Sequence, residues 1–417
     1  MMGRKRKNAE QLALEHELGL PEFAVCGKEE KDGDVLYIVE ARERPKCWNC
    51  GKSDRMVIHS TTPVYISDLP RFGKRTGLCV NKRRYECLDC KAVTPDSFES
   101  YQGRMTVRLR ERIKSDTLYR PFAKVSDDYG FSASKISGLF NEKVQECAKI
   151  YHPSMPETLA IDTMPMHGGK AIYTAFIDLD GSKARTIEIS NATSRKATED
   201  CLKRLNNPHR CKRIFLAPKN EYRLASRFIL GKDITLIVDK THVLQALQGA
   251  FDSIRLDISK KNAIKDRTRA FSANRLLLTT DFEKLNINQS EHLNTLLEKY
   301  PEFRPAYDLK EAFLNVYGAD NAESAQAYYQ EWKEACHSEN ITGYDSFIEL
   351  IDSWYDEVFA YFDNTGEEEK ISSAKAEIQK IDREGFRYKF EVLRAKILYR
   401  NIESQPPTGK IDFSKFK

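Results

Sequence analysis

Long apolar runs are missing from this sequence. No segment comes close to the roughly 18 consecutive apolar residues that a membrane-spanning helix needs, and the first ten residues, MMGRKRKNAE, contain no apolar leader. A strong charge imbalance is also missing, because 67 lysines and arginines face 62 aspartates and glutamates, for a net charge of +5. The composition predicts a cytoplasmic protein without a membrane partner, and 417 residues allow about two to four domains.

The cysteines do not form a disulfide pattern. Ten cysteines spread over a long chain lack the density of small secreted scaffolds. Four of them form two matched pairs, Cys47 and Cys50 in CWNC, and Cys87 and Cys90 in CLDC. Each two-residue gap places two thiolates on one tight turn, and two such turns complete a closed zinc site. The spacing predicts a zinc ribbon with a structural zinc ion. A redox role is disfavoured because neither pair precedes a helix in a βαβ pattern.

Positive charge is concentrated in the front third of the chain. Residues 71–85 hold six basic and no acidic residues, and residues 101–120 hold six basic and two acidic ones. Such a surface suits phosphate binding, although a solvated basic face gives the same pattern. The residues predicted here to contact DNA are Lys74, Arg75, Lys82, Arg83, Arg84, Arg108 and Arg110.

A change to helical spacing follows over residues 106–149. The pattern breaks at YGFSAS, where Gly130 fits a tight turn and Ser132 or Ser134 fits the N-cap of the next helix. A helix, a glycine turn and a second helix that begins with Ser134 and Lys135 predict a helix-turn-helix DNA-binding segment. A plain helical bundle shares this pattern, and the adjoining ribbon and basic stretches favour DNA binding.

Strand patterns begin at residue 157. TLAIDTM, KAIYTAFIDLD and KARTIEIS predict three antiparallel strands, with a helix, the strand CKRIFLA, a helix, the strand ITLIVDKTHV and a helix after them. The order βββαβαβα is typical of an RNase H-like fold, in which strands one, four and five are parallel. Chemistry in such sheets lies at the carboxyl ends of strands, where Asp162 stands.

These segments, in this order, resemble the DDE transposases of bacterial insertion sequences, and among them the ISL3 family. The resemblance rests on the ribbon, the helix-turn-helix, AIDT, DKTHVLQAL and the closing FEVLRAKIL, and it covers roughly residues 40–400. It implies binding of double-stranded DNA at inverted-repeat ends and at a target, and strand cleavage and transfer with two Mg or Mn ions. It also implies a homodimer, and association with the nucleoid when DNA is bound.

The resemblance implies three metal-binding acids, and the second is not an acid here. Asp162 takes the first position. At the end of strand four the family has an acid followed five residues later by a tyrosine, which places Ala217 and Tyr222 there. Three interpretations stand: an inactivating substitution, a decayed or domesticated copy kept for DNA binding, or a wrong assignment of strand four. We expect the chain to cut DNA poorly or not at all.

The third acid and two secondary candidates complete the prediction. Counting back from FEVLRAKIL without gaps puts Ser372 at the position of the third acid. Allowing one inserted helical turn puts Glu369 there instead, and Glu368 is a weaker candidate. Acids at the start of a helix also complement its dipole, which explains them without a metal. Asp239 comes at the end of strand five, so it would start about 10 Å from Asp162, whereas a residue at the end of strand four would start about 5 Å from Asp162. His242 suits the metal site, DNA, or a capping or core role equally well.

The predicted class is an α+β multidomain chain, in which an RNase H-like domain carries a helical insertion. A non-catalytic, sequence-specific DNA-binding protein is the alternative function; RNA binding is disfavoured because the ribbon has few aromatics between Trp48 and Tyr85. The predicted segments are an N-terminal segment 1–40, the ribbon 41–100, the helix-turn-helix 101–152, the RNase H-like core 157–250, the insertion 251–360, the last acidic helix 361–400 and the tail 401–417.

Overall fold

The computed structural model describes residues 9–261 and 273–400, and the chain divides into two units, Met1–Lys149 and Ile150–Lys417. The predicted tail and part of the predicted helical insertion therefore lie outside the described residues. Within the described ranges, no helix has both the length and the hydropathy of a membrane crossing.

The first unit is built on a seven-stranded sheet. Its order is β1-β2-β4-β3-β7-β6, with β5 paired to β4, and β2 runs parallel to β4. The long β3–β4 hairpin is the predicted ribbon. Residues 23–41, set apart above as part of an N-terminal segment, instead extend this sheet, because the alternating Phe23, Tyr37 and Val39 bury one face of β1 and β2. The strands are β1 Phe23–Lys31, β2 Asp34–Ala41, β3 Met56–Arg71, β4 Lys74–Cys87, β5 Val93–Pro95, β6 Tyr101–Gln102 and β7 Met105–Thr106.

Helices of the first unit follow the predicted breaks. Gly130 ends a helix at φ 70°, and Ser132 begins the next, because its hydroxyl accepts a hydrogen bond from the Lys135 N–H at 3.3 Å. Val125 and Ile136 are buried where the helices pack together. The helices are α1 Ala9–Leu18, α2 Val107–Tyr119, α3 Phe122–Tyr129 and α4 Ala133–Ile150.

The second unit contains the predicted mixed sheet. Its order is β10-β9-β8-β11-β12; β8, β11 and β12 are parallel, and β9 and β10 are antiparallel. The α+β class predicted from the sequence is confirmed, including which strands are parallel. The strands are β8 Thr158–Met166, β9 Ala171–Asp178, β10 Arg185–Ser190, β11 Arg213–Leu216 and β12 Thr235–Val238.

Helices surround this sheet and form a large apolar core with it. Trp332 and Trp354 are buried in that core, in agreement with the core role favoured by their helical spacing. The last helix is fixed to β10 because Arg394 donates two hydrogen bonds, at 2.8 and 2.6 Å, to the buried Glu188. The helices are α5 Arg195–Leu202, α6 Asn220–Leu230, α7 Lys240–Lys261, α8 Arg275–Thr279, α9 Ile287–Lys299, α10 Arg304–Leu314, α11 Ala322–Ser338, α12 Asp345–Ser353, α13 Tyr355–Phe359, α14 Glu368–Glu384 and α15 Phe390–Tyr399.

Candidate active site and DNA interface

Asp162 lies within β8 and is 4% exposed. Its Oδ2 lies 2.5 Å from Lys375 Nζ, and its Oδ1 lies 2.9 Å from His242 Nε2. Oδ1 also accepts a hydrogen bond from the Thr163 N–H at 2.6 Å. Burial raises the pKa of Asp162, but the hydrogen bonds and charges of His242 and Lys375 outweigh it and hold that pKa below its usual range. The carboxylate is therefore ionised, and both of its oxygens have partners.

Ala217 is the neighbour of Asp162 on the adjacent strand. Leu216 pairs with Ile161, and the Ala217 N–H continues this ladder by donating to the Ile161 carbonyl at 3.2 Å. The side chain at this position is a buried methyl group. A carboxylate there would stand about 5 Å from that of Asp162, the spacing of adjacent strands. The methyl group supplies no metal ligand.

Asp239 follows β12, which is separated from β8 by β11. It is 5% exposed, and its Oδ1 accepts a hydrogen bond from the Thr241 N–H at 2.6 Å, at the start of α7. The Tyr361 hydroxyl donates a hydrogen bond to Glu368. Burial raises the pKa of Tyr361, and the hydrogen bond to Glu368 and the charges of Glu368 and Asp239 raise it further.

The residue of α14 that reaches Asp162 is a lysine. Ile371, Ala374 and Ile378 form the buried stripe of this helix, and Lys375 lies beside that stripe, whereas Glu369 and Ser372 are exposed. Sequence reasoning missed Lys375. The available signal was its spacing of four residues from Ile371, which places a cation at an inward position where it needs an anion.

The acids in the described part of the second unit do not form a site for divalent metal ions. Apart from four cysteines in the first unit, the described residues contain no group of three or more His, Cys, Asp or Glu whose ligand atoms lie within 4.8 Å of one another. Both oxygens of Asp162 accept hydrogen bonds from neighbours, and Ala217 offers no ligand. The residues as they stand therefore do not fit the pair of Mg or Mn ions that the family resemblance implies.

The four cysteines do fit a metal. Cys47 Sγ lies 3.5 Å from Cys90 Sγ, and Cys50 Sγ lies 3.6 Å from Cys87 Sγ. Four sulfurs on a tetrahedron with Zn–S bonds of about 2.3 Å are about 3.8 Å apart, so the cluster has nearly the size that zinc needs. Hydrogen bonds from the backbone N–H groups of Cys50 and Cys90 lower the pKa of Cys47 and of Cys87 respectively, which favours thiolates.

Each cysteine pair lies on a turn of the same design. The Gly51 N–H donates to the Cys47 carbonyl at 2.9 Å, and the Lys91 N–H donates to the Cys87 carbonyl at 2.9 Å. Gly51 has φ 75° and Lys91 has φ 60°, so both turns need a left-handed residue after the second cysteine. The backbone of each turn therefore holds its two cysteines close together.

The nine residues predicted to contact DNA divide into two sets. Five bind acidic side chains of the first unit. Arg84, Ser134 and Lys135 are exposed, Lys82 is partly exposed, and the described part of the chain gives these four no acidic partner. The five pairs are Lys74 with Glu30, Arg75 with Asp34, Arg83 with Glu40, Arg108 with Asp68 and Arg110 with Glu142.

Comparisons with known proteins agree with this architecture. Residues 159–397 match the model of the ISL3 transposase family, and residues 43–90 match the zinc finger of the transposases of IS204, IS1001, IS1096 and IS1165. The transposase for insertion sequence element IS1001 from Bordetella parapertussis is 21% identical over 332 residues, which cover 78% of this chain and 80% of that protein. The match to the ISL3 model spans more than half of the chain, with the catalytic fold and the zinc ribbon in the expected order, and the chain belongs to the ISL3 family of transposases.

Proposed function

We propose that this chain binds the inverted-repeat ends of an insertion sequence and, as written, cleaves them poorly or not at all. Binding is supported by the zinc ribbon and by the start of α4, where Ser134 and Lys135 are exposed and the helix N-terminus favours a phosphate. The family to which the chain belongs carries out DNA cleavage and transfer. The finer assignment to element ends is our inference.

The observation that carries impaired cleavage is the pairing of Asp162 with Lys375 and His242. In the two-metal site that the family resemblance implies, metal ions would contact this carboxylate; here a lysine and a histidine contact it instead. Ala217 removes the neighbouring ligand, and metal-assisted catalysis depends on ligands that converge from separate elements. Loss of one of them costs several kcal/mol of transition-state stabilisation, or at least several powers of ten in rate.

We further propose that the chain acts as a homodimer in the cytoplasm and joins the nucleoid when DNA is bound, because transposition holds two element ends together. Light scattering of the full chain with and without end DNA measures this directly. A complex of two chains and two ends is expected. A complex of one chain and one end at all concentrations contradicts the dimer.

Cleavage of labelled element-end DNA with Mg²⁺ or Mn²⁺ tests the proposal. The chain as written is compared with Ala217→Asp and with the uncharged, similarly sized Ala217→Asn. We expect cutting only from the aspartate variant, alone or combined with Lys375→Gln. Cutting by the chain as written contradicts impairment and assigns another acid, Asp239 first, to the site.

A second candidate function is a non-catalytic regulator that binds element ends. It is favoured by the same contacts, because Lys375 and His242 already occupy the oxygens of the buried Asp162 carboxylate that a metal ion would need. End binding without cutting by Ala217→Asp and by its combination with Lys375→Gln would support this function.

A further inference from the structure

Two turns of the second unit meet beyond the carboxyl end of β8. One joins β8 to β9 over residues 167–170, and the other joins α14 to α15 over residues 385–389; we call them the turn pair. The His167 N–H donates to an Asp382 carboxylate oxygen at 3.2 Å, and His167 Nδ1 lies 3.1 Å from the other oxygen. A Cβ on Gly168 would lie 3.7 Å from Arg387 Nη2, so the guanidinium group contacts this turn. The two turns therefore form one surface.

Four exposed cations lie in or next to the turn pair: Lys170, Arg383, Arg387 and Lys389. The described ranges 9–261 and 273–400 provide none of the four with a carboxylate partner. Of the nearby acids, Asp382 is buried and faces His167, and the exposed Glu384 lies 4.0 Å from Lys380. This differs from the first unit, where most of the predicted basic contacts are neutralised within the fold. Unpaired cations at one place attract a polyanion.

An exposed aromatic ring stands among these cations. Phe386 is 90% exposed, the largest exposure of any large hydrophobic residue described. It has φ 52° and Arg387 has φ 70°, two successive left-handed residues that are not glycine. Such conformations persist only where the surroundings hold them, and they concentrate at binding sites.

The fold holds this strained turn in place. The Phe386 N–H donates to the Arg383 carbonyl at 3.2 Å, and the Arg387 N–H donates to the Asp382 carbonyl at 3.1 Å. The Tyr388 ring lies against Gly385, where a Cβ would come within 1.8 Å of it. These contacts fix the turn in a conformation that exposes the Phe386 ring to solvent. An exposed ring in a fixed position can stack on a base.

We propose that the turn pair is a second DNA-binding surface, in which the four cations contact phosphates and Phe386 stacks on a base exposed at a DNA end. This deepens the proposed function and rests on it, because it adds a contact from the second unit to end binding by the first. Along α14, Asp382 lies seven residues after Lys375, or about 10 Å. DNA bound here would reach the Asp162 region.

Fluorescence anisotropy of the zinc-loaded full chain on a labelled duplex with the element end tests the cations. The test variant replaces all four cations of the turn pair by glutamine. The control makes the same charge change with four exposed cations elsewhere in the second unit. The control positions are Lys183, Lys203, Lys232 and Lys299.

We expect the test variant to bind at least about tenfold more weakly at moderate salt. Its slope of log K against log salt is expected to fall by about 0.9 for each phosphate that the variant no longer neutralises. The control should change both quantities much less. If the test variant and the control bind alike, the turn pair is not a DNA surface and faces another partner, while end binding by the first unit stands. If the unaltered chain binds no DNA, the proposed function fails as well.

Phe386→Ala tests stacking separately. Binding to a duplex with unpaired bases at its end is expected to weaken about fivefold or more, and binding to an internal duplex segment should not change. Melting temperatures of the variant and the unaltered chain check that the fold is retained. Equal weakening on both probes, or none on either, overturns the stacking role.

Discussion

At the scale of single residues, the identity of the group that faces Asp162 matters most. Ala217 follows β11 directly and lies beside Asp162, as strand periodicity and the tyrosine five residues on predict. Asp162 itself lies within β8 rather than at its end, because that strand continues to Met166. The metal-binding role of both positions stays a prediction. Lys375 was not foreseen, because which residue of α14 reaches β8 depends on how the helix docks. Its spacing from the buried residues of the helix indicates that Lys375 needs an anionic partner, but it does not show which acid that partner is.

Replacing Lys375 by methionine is expected to destabilise the second unit by roughly 1–3 kcal/mol. This range lies below the usual cost of about 3–5 kcal/mol for breaking a buried pair, because the lysine side chain is 25% exposed. Denaturant unfolding measures this change. Lys380→Met, at an exposed position of the same helix, serves as the control, and Asp162→Asn combined with Lys375→Met should recover part of the stability. A Lys375→Met chain as stable as the unaltered one would show that the pair is not structural.

Lys396 predicts a pH dependence of stability. Burial, and after it the charge of Arg400, lowers the pKa of Lys396 to about 7, well below its usual value of about 10.4. Between these values the unfolded chain binds more protons than the folded one. Stability therefore rises with pH through this window, by at most about 1.4 kcal/mol per pH unit. The difference in unfolding free energy between Lys396→Met and the unaltered chain should shrink from pH 7 to pH 10; a constant difference contradicts the shifted pKa.

At the scale of elements, the sequence predicted the strands and helices of the second unit well. Residues 157–250 consist of short apolar runs separated by polar turns, which predict the order βββαβαβα. The parallel pairing of β8, β11 and β12 follows from that order of elements. The role of β1 and β2 was missed, because the parallel pairing of β2 with β4 joins residues about 40 positions apart and leaves no local signal.

The zinc ribbon predicts a metal content and a metal dependence. One zinc ion per chain is expected, and Cys87→Ser combined with Cys90→Ser should bind none, because half of the four-sulfur cluster is gone. Elemental analysis measures the content, and hydrogen exchange shows local unfolding near both cysteine turns. Cys26→Ser removes an exposed thiol outside the cluster and should keep the zinc. Equal zinc content in all three proteins would exclude this site.

At the scale of the whole molecule, one unit carries the zinc ribbon and the three-helix segment, and the other carries the catalytic fold of the family. The sequence alone led to the family, which the comparisons confirm. The state of the catalytic centre required the structure, because Lys375 and His242 are distant in sequence from Asp162 and meet it only after folding. These two side chains, rather than metal ions, occupy the carboxylate oxygens of Asp162.

Binding of Mn²⁺ to the zinc-loaded full chain, followed by electron paramagnetic resonance, tests this claim most directly. The account predicts that the chain as written and its Asp162→Asn variant bind Mn²⁺ equally weakly. The combination of Ala217→Asp with Lys375→Gln should gain a site that a further Asp162→Asn change abolishes. Binding of Mn²⁺ by the chain as written that disappears in Asp162→Asn would contradict the account and restore Asp162 as a metal ligand.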